Sequence, residues 1–165
     1  MVIIGIDPGY GRIGYGIIEY KSNKYRVIEY GSIITKANNY FPARLSKIEN
    51  DLRDICSRYK IDCSSIEELF FNTNLKTGIK VAHARGVIVN TLYSLGIEIN
   101  EYTPLEVKQA LVGYGRADKL QIKEMVKSFL KLETMPKLDD TTDALALSIC
   151  HANSYKLTNS ILKYK

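Results

Sequence analysis

Residues 2–16, Val2-Ile3-Ile4-Gly5-Ile6-Asp7-Pro8-Gly9-Tyr10-Gly11-Arg12-Ile13-Gly14-Tyr15-Gly16, decide how the chain is read. Residues 2–6 are a short apolar run rich in β-branched side chains, the pattern of a strand buried on both faces. Asp7 ends that run and is followed at once by Pro8, Gly9 and Gly11. A carboxylate at the C-terminal end of a buried strand lies where open α/β sheets place their ligands, and nearby glycines allow close approach. Asp-Pro-Gly is equally ordinary turn chemistry, so this stretch alone leaves both readings open.

Working outward, residues 14–20 and 25–35 are further β-prone runs, split by the polar turn Lys21-Ser22-Asn23-Lys24. They predict an antiparallel hairpin continuing from the first strand. The period then changes. Leu45, Ile48, Leu52, Ile55 and Tyr59 recur at spacings of three and four, an amphipathic helix over 42–59 opened by Pro42. A strand is expected over 65–71, a long helix over 76–93 ending near Gly96, and a last strand over 97–102. Thr103, Pro104 and Glu106 form a capping-box pattern, and Asp118 caps another helix reaching about Leu132. A final helix is expected from Asp139 or Asp140 to about Ser154. Strands first, then strands alternating with helices, predict an α/β fold: a mixed five-stranded sheet with helices on both faces.

The 165 residues, 45% hydrophobic and 25% charged, fit one globular domain spanning 1–165, with the last ten or so residues a flexible basic tail. No apolar run approaches the roughly 18 residues of a membrane span, and the start does not read as a signal peptide. Three scattered cysteines without a CxxC argue against zinc and disulfide frameworks. The expected location is therefore the cytoplasm. The net charge of +5 is concentrated in residues 71–165, which carry thirteen basic against nine acidic side chains. That surplus mildly favours an anionic partner.

Two further segments concentrate acids. Glu67 and Glu68 sit inside the β-prone run 65–71, against propensity, and alternation sends them to opposite faces. The competing reading is that the strand is already ending and both are solvated. In Asp139-Asp140-Thr141-Thr142-Asp143, Asp140 and Asp143 share one face of a first helical turn. Helix capping explains Asp139 or Asp140 as well, but capping does not require Asp143. Acids from three places thus point at one sheet end. Clustered carboxylates repel unless a cation offsets them, and such hard oxygen donors suit Mg²⁺ or Mn²⁺. A pair of such ions suits phosphodiester cleavage.

Taken together, the opening motif, Ser65-Ile66-Glu67-Glu68-Leu69-Phe70-Phe71, His83-Ala84-Arg85-Gly86-Val87, the block from Val107 to Lys119 and the block from Asp140 to His151 resemble one family in order and spacing. That family is the RuvC-type Holliday junction resolvases, nucleases of the ribonuclease H-like fold. The resemblance implies that Asp7, Glu67, Asp140 and Asp143 are the catalytic carboxylates and hold two Mg²⁺ ions, with Mn²⁺ as a substitute. It implies paired symmetric nicks in four-way DNA junctions during recombination and repair, leaving 5′-phosphate and 3′-hydroxyl ends. It also implies a homodimer built largely on the 76–93 helix, working with a branch-migration helicase of the RuvA–RuvB type.

Lys119, Lys123, Lys127 and Lys131 recur every four residues, and for the last two a solvated face is the preferred reading. Lys108 and Lys119 match basic positions of the family's DNA-contacting segment. Lys76 and Lys80, four apart on the helix after the acidic strand, are candidates for phosphate contact. Phe70 matches the family's aromatic near the junction centre, where unpaired bases stack, although alternation along a strand would equally send one of Phe70 and Phe71 into the core. Glu68, where many relatives carry glutamine, and His83 depart from the family pattern. His151, two turns beyond Asp143, is read as structural.

Overall fold

The isoleucine-rich opening run folds as expected into the middle of a sheet. A computed structural model describes residues 1–69 and 75–162, with side chains described for 1–69 and 77–156. In chain order the elements are β1 (Val2–Asp7), β2 (Arg12–Lys21), β3 (Lys24–Ile34), α1 (Phe41–Ser57), β4 (Cys63–Glu67) and α2 (Leu75–Ser94). They continue with β5 (Glu98–Tyr102), α3 (Pro104–Val112), α4 (Lys119–Leu130) and α5 (Asp139–Leu162). The strands form one mixed sheet in the order β3-β2-β1-β4-β5. β1, β2 and β3 pair antiparallel, whereas β4 pairs parallel to both β1 and β5.

Local chemistry accounts for most boundaries. Ser22 and Asn23 both adopt positive φ, the two-residue turn whose twist suits a hairpin. Thr103 and Glu106 form the expected capping box on α3, and Asp118 forms another with Gln121 on α4. Lys131 is not part of the α4 face: it closes the helix in the left-handed conformation at φ 52°.

Alternation along the strands sorts side chains between two cores. Ile4, Ile6 and Ile66 pack with Ile48 and Leu52 of α1 and Ile88 and Leu92 of α2. Ile3, Ile18 and Cys63 pack on the other face with Leu111 of α3, Val126 of α4 and Leu145 and Ile149 of α5. Cys56, Cys63 and Cys150 are free and buried. Among the described residues no helix is long and apolar enough to cross a membrane.

Two expectations need correction. The strand expected over 65–71 is Cys63–Glu67, because its ladder with β1 runs only from Cys63 to Ile66 and its ladder with β5 ends at Glu67. Glu68 therefore lies beyond the strand, exposed, with its N–H donating to the Tyr102 carbonyl at 2.9 Å. The final helix does not stop near Ser154 but continues to Leu162. Phe70 and Phe71 lie outside the described residues, as do the Lys76 side chain and residues 163–165.

Candidate active site

Asp7 and Glu67 stand side by side because β1 and β4 run parallel with Ile6 level with Ile66, and each acid is the next residue. Alternation puts both on the α5 face: Gly5, two residues before Asp7, faces Ala144, and Ser65, two before Glu67, donates to the Leu147 carbonyl at 2.7 Å. The helix comes unusually close here. A Cβ on Gly5 would lie 2.0 Å from the Ala144 carbonyl oxygen, and one on Gly14 would lie 1.9 Å from that of Asp140. These strand glycines let the first two turns of α5 settle onto β1 and β2, which brings Asp140 and Asp143 to Asp7. The sequence reading looked to the loop glycines for close approach; these two positions inside strands went unassigned.

The loop after Asp7 is held by a buried arginine. Arg44 of α1, 3% exposed, donates to Thr35 Oγ1 at 2.9 Å and to the Tyr10 carbonyl at 3.2 Å. Its guanidinium also bonds the Tyr10 hydroxyl and lies 3.5 Å from the centre of that ring.

Electrostatics mark the four acids as one unit. Burial, then the charges of Glu67, Asp143 and Asp140, push the Asp7 carboxyl up to about 8. Burial and Asp143 raise Glu67 above the usual carboxylate range. Burial likewise raises Asp143, opposed by the Lys119 ammonium. Two protein cations reach into the group: Arg12 Nη1 lies 3.3 Å from Asp140 Oδ2, and Lys119 Nζ lies 3.7 Å from Asp143 Oδ2. Among the described residues, no three His, Cys, Asp or Glu side chains stand at ligating distances from a common point. With its acids drawn toward Arg12 and Lys119, the cluster offsets its charge with side chains. Its donor chemistry nevertheless fits a hard divalent cation, since all four groups are carboxylates and Asp7 is costly to ionise without one.

Beside the acids is a cavity of about 300 Å³ lined by Glu67, Asp143, Lys108 and Lys119 together with apolar Val107, Ile122 and Leu147. It gathers two of the lysines expected to meet DNA. Lys80 is exposed, with Nζ 5.4 Å from the centre of the Tyr10 ring, beside the loop that follows Asp7. His151 is buried, its Nδ1 2.8 Å from the Tyr102 hydroxyl, and takes a structural place.

With this geometry in view, residues 3–151 match the family described as crossover junction endodeoxyribonuclease RuvC. The chain belongs to the RuvC family. Curated relatives of that description include one from Ruminiclostridium cellulolyticum, 50% identical over 95% of each chain. Another, from Clostridioides difficile, is 51% identical over 98% of this chain and 95% of its own. Among solved structures, T. thermophilus RuvC in complex with a Holliday junction substrate superposes with a TM-score of 0.91 at 30% identity, covering 96% of both chains. Yeast mitochondrial Ydc2, described as a Holliday junction resolvase, shares the fold with a TM-score of 0.76 at 10% identity over 98% of this chain and 83% of its own. The expected ribonuclease H-like architecture is thus the RuvC fold. Arg12, Asp139 and Lys123 are neighbours of the site that sequence reasoning did not assign as such. Arg12 had a signal in its place directly after the loop that follows Asp7.

Proposed function

We propose that this RuvC-family chain is a structure-selective endonuclease that resolves four-way DNA junctions by paired symmetric nicks in recombination and repair. The observation that carries this is the placing of Asp7 and Glu67 on neighbouring parallel strands beside Asp140 and Asp143 of α5, where burial and the nearby acids push the Asp7 carboxyl up to about 8. Such a group is poised to hold cations against the phosphodiester backbone. Asp7, Glu67, Asp140 and Asp143 are the residues that would hold two Mg²⁺ ions, or Mn²⁺ in their place. When bound there, such a pair supplies an activated water and stabilises the departing 3′ oxygen.

The chain's own residues do the rest. Asp7, held protonated by burial and its acidic neighbours, would give its proton to solvent on taking up a cation. Lys108 and Lys119, on the walls of the adjoining cavity, hold the backbone next to the acids. Lys80, and Lys76 one turn before it, take phosphates on the α2 side, and Phe70 stacks an unpaired base near the crossover. Cleavage of the bond to the 3′ oxygen leaves 5′-phosphate and 3′-hydroxyl ends. No covalent nucleophile is needed.

Two strands must be cut, and a C2 homodimer supplies two sites with matching symmetry. An apolar groove of about 620 Å³ between α1 and α2, lined by Leu45, Ile79, Ala82, His83 and Val87, supports a dimer built on α2. In the cytoplasm such a dimer would work beside a branch-migration helicase of the RuvA–RuvB type.

The test is a labelled synthetic four-way junction beside matched duplex and single strand, each with Mg²⁺ or chelator. Symmetric nicks confined to the junction and lost with chelator are expected. Tight junction binding without cutting would make the protein a binding module, and equal cutting of duplex would remove the structure selectivity.

A further inference from the structure

Asp139 belongs to none of the roles above, yet its two carboxylate oxygens are divided between two lysines. Oδ2 lies 3.0 Å from Lys119 Nζ and Oδ1 lies 2.8 Å from Lys123 Nζ. Lys119 Nζ is at the same time 3.7 Å from Asp143 Oδ2, so one ammonium spans an acid of the cluster and an acid outside it. Asp139 is the first residue of α5, one position before Asp140, while both lysines come from the first two turns of α4. The carboxylate is thus fixed from one side by Lys123 and turned toward Lys119 on the other.

We propose that Asp139 is a positioning residue that sets how readily Lys119 gives up Asp143 when a divalent cation enters. The proposal rests on the reading of Asp7, Glu67, Asp140 and Asp143 as a metal centre. A lysine shared between two carboxylates loses less on leaving one of them than a lysine with a single partner. Asp139 keeps Lys119 at the rim of the site, paired and close to where a backbone phosphate would lie. Without Asp139, Asp143 becomes the nearest acid for Lys119, and an incoming cation must displace it outright. Lys123 serves the same end by occupying Oδ1, which leaves Oδ2 for Lys119. The ion pairs are partly exposed, with Lys119 55% and Asp139 50% accessible, so the effect is modest.

The experiment is a Mn²⁺ titration of the DNA-free full-length protein, followed by the electron paramagnetic resonance of unbound Mn²⁺. It compares wild type, Asp139→Asn, Lys119→Met and the double variant. Asp139→Asn should weaken Mn²⁺ binding about two- to fivefold, and Lys119→Met should tighten it by a similar factor. The double variant should match Lys119→Met, because Asp139 acts through Lys119. Asp139→Ser, which keeps a small polar side chain at the start of α5, should repeat the Asp139→Asn result should that variant fold poorly. Equal weakening with and without Lys119 would make Asp139 a distant charge only, and no weakening in either Asp139 variant would also overturn the proposal. Asp7→Asn separates the two levels. If wild type binds no Mn²⁺, or Asp7→Asn binds it equally well, the metal-centre reading fails, and this proposal falls with it.

Discussion

A carboxyl at the end of a buried strand, beside three others, gains little from ionising until a cation arrives. Asp7 is in that position: it releases its proton at about 8 when folded, against 3.8 for an ordinary aspartate. The folded protein therefore binds this proton more tightly than the unfolded chain does. Stability from this group is full below about pH 4 and is lost progressively as pH rises toward 8. Asp7→Asn should be inactive on junctions, yet in chelator it should melt no lower than wild type at pH 8 and lose less stability between pH 5 and pH 8. Melting curves at the two pH values check this, and a large metal-free fall in the variant would contradict it. That the four acids come together was legible because Asp7 and Glu67 end strands and Asp140 and Asp143 lie in the first two turns of a helix. The ion pairs of Arg12 with Asp140, and of Lys119 and Lys123 with Asp139, were not. They join residues distant in the chain, and only topology decides which charges meet.

At the scale of elements, the site depends on how closely α5 lies on the sheet. Gly14→Ala would push a methyl into the Asp140 carbonyl, and the helix must lift or the strand must bend. A cost of about 1–3 kcal/mol is expected, together with a fall in cleavage because Asp140 moves with its backbone. Denaturant melts and junction nicking measure the two effects, and unchanged values in both would mean α5 is not held by this contact. Lys131 gives a prediction of opposite sign. It closes α4 at φ 52°, where glycine carries no Cβ penalty, so Lys131→Gly should stabilise by about 0.5–1 kcal/mol. A lower melting temperature would show that its side chain supports the helix end in some other way. Capping chemistry made the starts of α3 and α4 legible. The far end of α5 was not, because the sheet packs on one side of this helix and α3 and α4 on another. Apolar residues then surround much of Ala144–Ala152, and the amphipathic stripe that marks a surface helix fades.

For the whole molecule, the proposed paired cutting requires two sites held together. Ile79, 54% exposed, lies in the apolar groove between α1 and α2, where the proposed twofold contact would bury it. Ile79→Asp should give a monomer by sedimentation, since an aspartate buried at a symmetric contact faces its own copy across the axis. The monomer should still retain the fold by circular dichroism, because Ile79 is peripheral to the core. A dimer that persists would place the contact elsewhere. The central claim is a metal-dependent carboxylate centre working in pairs on a four-way junction. It is tested most directly on a supercoiled plasmid that extrudes a cruciform, with Mg²⁺, by following nicked and linear products through time. Paired cutting predicts linear product from the start for wild type, none with chelator or Asp7→Asn, and at most nicked circles for Ile79→Asp. Nicked circles accumulating first with wild type, or equal cutting of a plasmid without the cruciform, would contradict it.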